Sequence, residues 1–94
     1  MGGTSEGAIN QLGYQYLRSG KTAEAVRTFE VNVERFPASP NVYDSAGDGY
    51  EAAGQLERAR RSFAMALERG RKAGNPNVAV YQANLDRVTK KLGR

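Results

Sequence analysis

Eight residues of this chain return with the same identity at one constant spacing of 34 positions. Gly13, Tyr16, Gly20, Ala25, Arg27, Phe29, Glu34 and Arg35 recur as Gly47, Tyr50, Gly54, Ala59, Arg61, Phe63, Glu68 and Arg69. A repeat of that size marks stacked supersecondary units, none of which buries its apolar face alone. The residue types say what each unit is. Gly13 and Gly47 have no side chain, so a neighbouring helix can come close, and Tyr16 and Tyr50 follow three residues on along the same face. Gly20 and Gly54 suit the left-handed residue that closes a helix. Ala25 with Phe29, and Ala59 with Phe63, form small–large i, i+4 pairs on a second helix that faces the first. Each unit is expected to be a helical hairpin.

The runs Ile9, Leu12, Gly13, Tyr16, Gly20, Ala25, Phe29, Pro37 and Tyr43, Ala46, Gly47, Tyr50, Gly54, Ala59, Phe63, Ala66 resemble the tetratricopeptide repeat. Repeat one covers residues 6–39 and repeat two residues 40–73. The departures are Asn32 in place of a small residue on the first B helix, Arg71 in place of the closing proline, and the lack of a third full repeat. The resemblance implies an all-α fold, an α-solenoid of two hairpins and a C-terminal capping helix, five helices in all.

Local signals set the boundaries. Residues 1–5 read as a disordered N-terminus, and residues 6–94 as one domain. The first helix is expected over residues 6–19, with Ile9, Leu12, Gly13 and Tyr16 inward. Thr22 reads as an N-cap, with Glu24 in the following turn. Ala25, Val26, Phe29, Val33 and Phe36 keep helical spacing until Pro37 ends it. Ser39-Pro40 predicts the next start. That helix should break at Gly54, and its successor begins near Leu56 with Ala59, Phe63, Ala66 and Leu67 inward. Gly70 and Gly74 both offer a stop. Asn75-Pro76 repeats the Ser39-Pro40 device 36 positions on, which places a last helix over residues 76–92. Its narrow stripe of Val78, Tyr81, Leu85, Val88 and Leu92 suits a cap on the stack.

Composition removes several function classes. The 94 residues include no cysteine and no histidine, so thiolate chemistry, disulfides and the usual zinc ligands are out of reach. No apolar run approaches a membrane span, and Met1–Glu6 shows no basic segment followed by an apolar one. The expectation is a soluble chain, with the cytoplasm favoured. The net charge is +4, and residues 74–94 hold +3 of it. Arg58, Arg60, Arg61, Arg69, Arg71 and Lys72 do not make a nucleic-acid surface on this reading. Glu57 can pair with Arg61 and Glu68 with Lys72, and the aromatics are committed to the core.

Fragments that imitate catalytic motifs fail on spacing. Gly20-Lys21-Thr22 lacks the earlier glycine of a phosphate loop, because Gln15 stands there. Gly47-x-Gly49-x-x-Ala52 follows no strand. Asp44, Asp48 and Gly49 lack two ligands of a calcium loop, at Ala46 and Gln55. No serine has a histidine partner. No catalytic residue, cofactor or metal is therefore expected, and the chain is not read as an enzyme.

The resemblance places the candidate site on the concave surface lined by the A helices. Carried over by position, the first presents Asn10, Tyr14 and Leu17 with Arg18 at the edge, and the second presents Asp44, Asp48 and Glu51. Members that clamp a C-terminal carboxylate use Lys and Asn where this chain has Asn10 and Tyr14, so that activity is not carried over. The three acids favour a basic protein or peptide partner, and Tyr14 is read either as its anchor or as a ring packed against the second A helix. The resulting expectation is a non-catalytic protein-interaction module, monomeric or weakly self-associating, with no membrane role. An alternative rests on residues 31–37 and 41–45, which also resemble repeats following bacterial serine-hydrolase and esterase domains. On that reading the chain is a structural appendage that touches a catalytic domain in cis.

Overall fold

The computed structural model describes residues 5–94, which form five α-helices and no strand. These are α1 (Glu6–Arg18), α2 (Thr22–Arg35), α3 (Pro40–Ala52), α4 (Leu56–Ala73) and α5 (Val78–Lys91). Helices α1 and α2 form one hairpin and α3 and α4 a second, and α5 packs on α4. The molecule is a slab of 45 × 32 × 17 Å, in which α2 also leans on α3 and α1 lies beside α3. No helix among the described residues is long and apolar enough to cross a membrane.

Repeated residues make repeated structure. Gly20 and Gly54 both adopt φ 76°, a left-handed conformation that costs glycine little. After each, the chain closes the same turn: Lys21 N–H donates to Tyr16 O, and Gln55 N–H to Tyr50 O, both at 2.9 Å. The rings then fill the gaps left by glycine. A methyl group on Gly13 would collide with the Phe29 ring, and one on Gly47 with the Phe63 ring. Phe29 is fully buried with Ala25 and Ala46, and Phe63 with Ala59 and Val88. Gly49 presses on the opposite edge of Phe29, so that one ring is held between α1 and α3. A third cluster, Val42, Tyr43, Ala66, Leu67 and Tyr81, joins α3, α4 and α5.

Four expectations need correction, and one helix end left between two glycines is resolved. Residues 1–4 of the expected disordered segment lie outside the described residues, but Ser5 is the N-cap of α1, its Oγ accepting from Ala8 N–H at 3.1 Å. Leu12 is 43% exposed, not inward. Its repeat-two counterpart Ala46 packs against Phe29 of the preceding hairpin, and no described helix stands before α1 to cover Leu12 in the same way. Thr22 is the first residue of α2 and Lys21 the cap, with no side-chain bond, because the left-handed turn at Gly20 already delivers the chain in register. Gly70 does not end α4: it stays helical, buried against the Tyr81 ring, and Gly74 (φ 64°) is the stop. Helix α5 starts at Val78 and not at residue 76, since Asn75 Oδ1 accepts from Asn77 N–H at 2.7 Å and turns the chain first.

Candidate functional site

Helices α1, α3 and α5 share a face on which polar side chains run without a break from one to the next. Proline at the first position of α3 starts that helix at Pro40, so Asp44, Asp48 and Glu51 fall on one side of it. The cap at Ser39 is extended, but its Oγ donates to Glu6 Oε2 at 2.7 Å and thereby ties the start of α3 to the start of α1. Asn32 reinforces the same corner. It is fully buried, and its Nδ2 donates to Glu6 O at 3.0 Å.

On α1, Tyr14 reaches across to α3. Its hydroxyl donates to Asp48 Oδ2 at 2.5 Å and lies 3.3 Å from Ser45 Oγ. The ring meets Phe29 edge-on with centroids 4.9 Å apart, a geometry favoured by aromatic quadrupoles. Ser45 in turn donates to Asn10 Oδ1. Leu17 does not stand free: it packs against the Phe29 cluster. Arg18 is exposed in the last turn of α1, where its charge suits the helix dipole. Of the seven expected residues, the structure therefore joins Asn10, Tyr14, Asp48 and Asp44 in one neighbourhood, sends Leu17 to the core, and leaves Arg18 at the rim.

The seventh, Glu51, is taken by α5. Arg87 Nη2 lies 2.7 Å from Glu51 Oε1 and Arg87 Nε 3.1 Å from Oε2, a two-pronged contact, while Lys91 Nζ lies 2.8 Å from Oε2. Asn84 donates to Asp44 Oδ1 at 2.8 Å and accepts from Arg87 Nη1, also at 2.8 Å. Arg87 further covers the Phe63 ring at 5.8 Å. The sequence reading missed Ser45, Asn84, Arg87 and Lys91. The i, i+4 spacing of Arg87 and Lys91 put them on one face of α5, which was the available signal, but nothing local showed that Glu51 lay opposite.

These contacts divide the acids into two kinds. Arg87 above all, then Lys91, holds the Glu51 carboxyl down at about 2, well below its ordinary 4.5. Burial pushes the carboxyls of Asp44 and Asp48 up from 3.8. The Asn84 bond opposes that rise at Asp44, as the Tyr14 bond does at Asp48, and Arg87 opposes both from further away. Burial and donation to Asp48 push the Tyr14 phenol up as well. Asp44 and Asp48 thus have neutral donors as their hydrogen-bond partners and, among the described residues, no ion pair. Among the described residues no three metal-type side chains converge to hold an ion.

The opposite side of the slab carries a groove of about 510 Å³ between α2 and α4, floored by α3. Tyr50 crosses its floor and donates to Glu30 Oε2 at 2.7 Å, with Arg58 5.9 Å above its ring. The expected pair of Glu57 and Arg61 is present at 3.7 Å, beside a closer contact of Glu57 with Arg60, but Glu68 approaches Arg69 at 3.9 Å in place of Lys72. Compared with known proteins, the chain matches no family model and no curated protein.

Proposed function

We propose that this chain is a non-catalytic protein-interaction module of tetratricopeptide-repeat type, whose α1–α3–α5 face receives a basic peptide or protein element. The 34-residue period and the two equivalent hairpins support the repeat assignment. One observation carries the choice of partner: Asp44 and Asp48 are half-buried and held by neutral donors, while the nearby cations are spent on Glu51. A carboxylate drawn partly out of water without a counter-charge gains from any cation that reaches it. Tyr14, fixed between Phe29 and Asp48, supplies a rigid aromatic edge beside that pair.

The residues behind the esterase-type resemblance serve the α2–α3 corner. Tyr43 Oη donates to Pro37 O at 2.7 Å, and Val42 and Ser45 are buried. They account for a turn, so their geometry does not favour the appendage reading.

The test uses a capped peptide of alternating alanine and arginine, with the glutamate version as control, followed through backbone amide shifts. The arginine peptide should shift amides of residues 44–51 and 84. The Asp44→Asn/Asp48→Asn variant should weaken it about tenfold and flatten its salt dependence. Equal binding of the glutamate peptide, or unchanged affinity in the variant, refutes the proposal.

A further inference from the structure

The α2–α4 groove has features that the α1–α3–α5 face does not explain. One wall, from α2, carries Glu30 and Glu34. The other, from α4, carries Arg58 and Arg61. Between them the floor is Val33, Ala46, Tyr50 and Met65. Among the described residues, neither Glu30 nor Glu34 forms an ion pair, and Arg58 rests on the Tyr50 ring without a carboxylate. Two rows of opposite charge therefore face each other across an apolar strip and are not satisfied by one another.

That arrangement selects its occupant. A uniformly basic segment would satisfy Glu30 and Glu34 but meet Arg58 and Arg61, and a uniformly acidic one would do the reverse. A second copy docked symmetrically, groove against groove, would leave the floor unfilled. We propose that the α2–α4 groove docks an amphipathic helix whose apolar stripe is flanked by basic residues on one side and acidic residues on the other. Its stripe covers Val33, Tyr50 and Met65, its basic flank lies along α2, and its acidic flank along α4. Ala46 keeps the floor low enough for large side chains to enter, and the groove volume is in the range that well-formed binding clefts show. Met65 adds an adaptable thioether, and Tyr50 and Arg58 are residue types that concentrate binding energy. This site is separate from the one proposed above, and either can fail without the other.

Three helical peptides with the same leucine stripe test it, flanked by lysine and glutamate on opposite sides, by lysine on both, or by glutamate on both. The mixed peptide should bind about tenfold more tightly than either uniform one and shift the amides of residues 33, 46, 50 and 65. Glu34→Arg should transfer the preference to the all-glutamate peptide, and Arg58→Glu/Arg61→Glu to the all-lysine peptide. Thermal melts of each variant report its folding, and both substitutions lie at exposed positions. Equal binding of the three peptides, shifts confined to α1 and α5, or a preference untouched by the wall substitutions each overturn the proposal. Sedimentation showing a dimer that Met65→Arg dissociates also overturns it, by giving the groove to a second copy.

Discussion

Tyr14 and Asp48 occupy the same place in successive repeats, 34 residues apart, and are bonded to each other at 2.5 Å. At this place the two hairpins bring equivalent positions side by side, so a substitution at one is felt directly by the other. Repeat two could not make the same bond with tyrosine at 48, nor repeat one with aspartate at 14. The difference between the units is what lets this bond form.

Removing that bond should matter more when Asp48 is charged. Tyr14→Phe should destabilise the fold by about 1.5–3 kcal/mol at neutral pH, the range for a hydrogen bond to an ionised group. The loss should shrink in acid, and it should be largely absent on an Asp48→Asn background. Urea unfolding at pH 7 and pH 4 checks this, and a cost independent of both pH and residue 48 would contradict it.

Glycine and ring should behave as coupled pairs. Phe29→Ala and Phe63→Ala should each cost about 3–5 kcal/mol, from lost burial and the cavity left behind. Gly13→Ala alone should cost about 1–3 kcal/mol by overpacking. Combined with Phe29→Leu it should cost less than the sum, with a coupling of about 1 kcal/mol in a double-mutant cycle. Strict additivity would show that the two side chains do not meet.

Acid should act on the two kinds of carboxylate in opposite directions. Glu51 titrates near 2 when folded and near 4.5 when unfolded, so its contribution is complete above 4.5 and vanishes as pH falls toward 2. Asp44 and Asp48 titrate above 3.8 when folded, so stability falls as pH rises from that value through their raised pKa values. Side-chain carboxyl NMR titration separates the three. Arg87→Gln should return Glu51 toward its ordinary range, and an unmoved Glu51 would show that Arg87 does not hold it.

Asn32 should govern the start of α1 more than the whole fold. Its Nδ2 holds Glu6 O, whereas its buried Oδ1 has no hydrogen-bond partner. Asn32→Ala loses one bond and leaves a small cavity but relieves one unpaired acceptor, so global stability should fall by only about 1–2 kcal/mol. Hydrogen exchange should nevertheless speed up at residues 9–11, in the first turns of α1. Unchanged exchange there would assign Asn32 to packing alone.

The hairpins, the glycine slots and the left-handed turns were legible because each depends on residues inside one 34-residue unit. Leu12 misled for the complementary reason. A periodic pattern grants the first unit the same neighbour as the second, and Ala46 has the Phe29 cluster where Leu12 has solvent. The acidic face of α3 was legible too, but its pairing was not. Asn84 reaches Asp44, and Lys91 reaches Glu51, across 40 residues. The turn at residues 75–77, closed by its own side-chain bond, places the start of α5 at Val78 and off the period. A periodic reading cannot foresee a shift made outside the period. The α2–α4 groove was invisible for a different reason: its walls come from separate repeats, and only packing on α3 sets them apart.

Phe29 belongs to the first hairpin, yet Gly13 grips one edge of its ring and Gly49, from the second hairpin, the other. Severing the chain between the two hairpins would leave that phenyl with half a socket, so the 34-residue period is shorter than the unit that folds. The two hairpins are thus fragments of one cooperative whole, and partial melting at one end should propagate through the shared ring into the next.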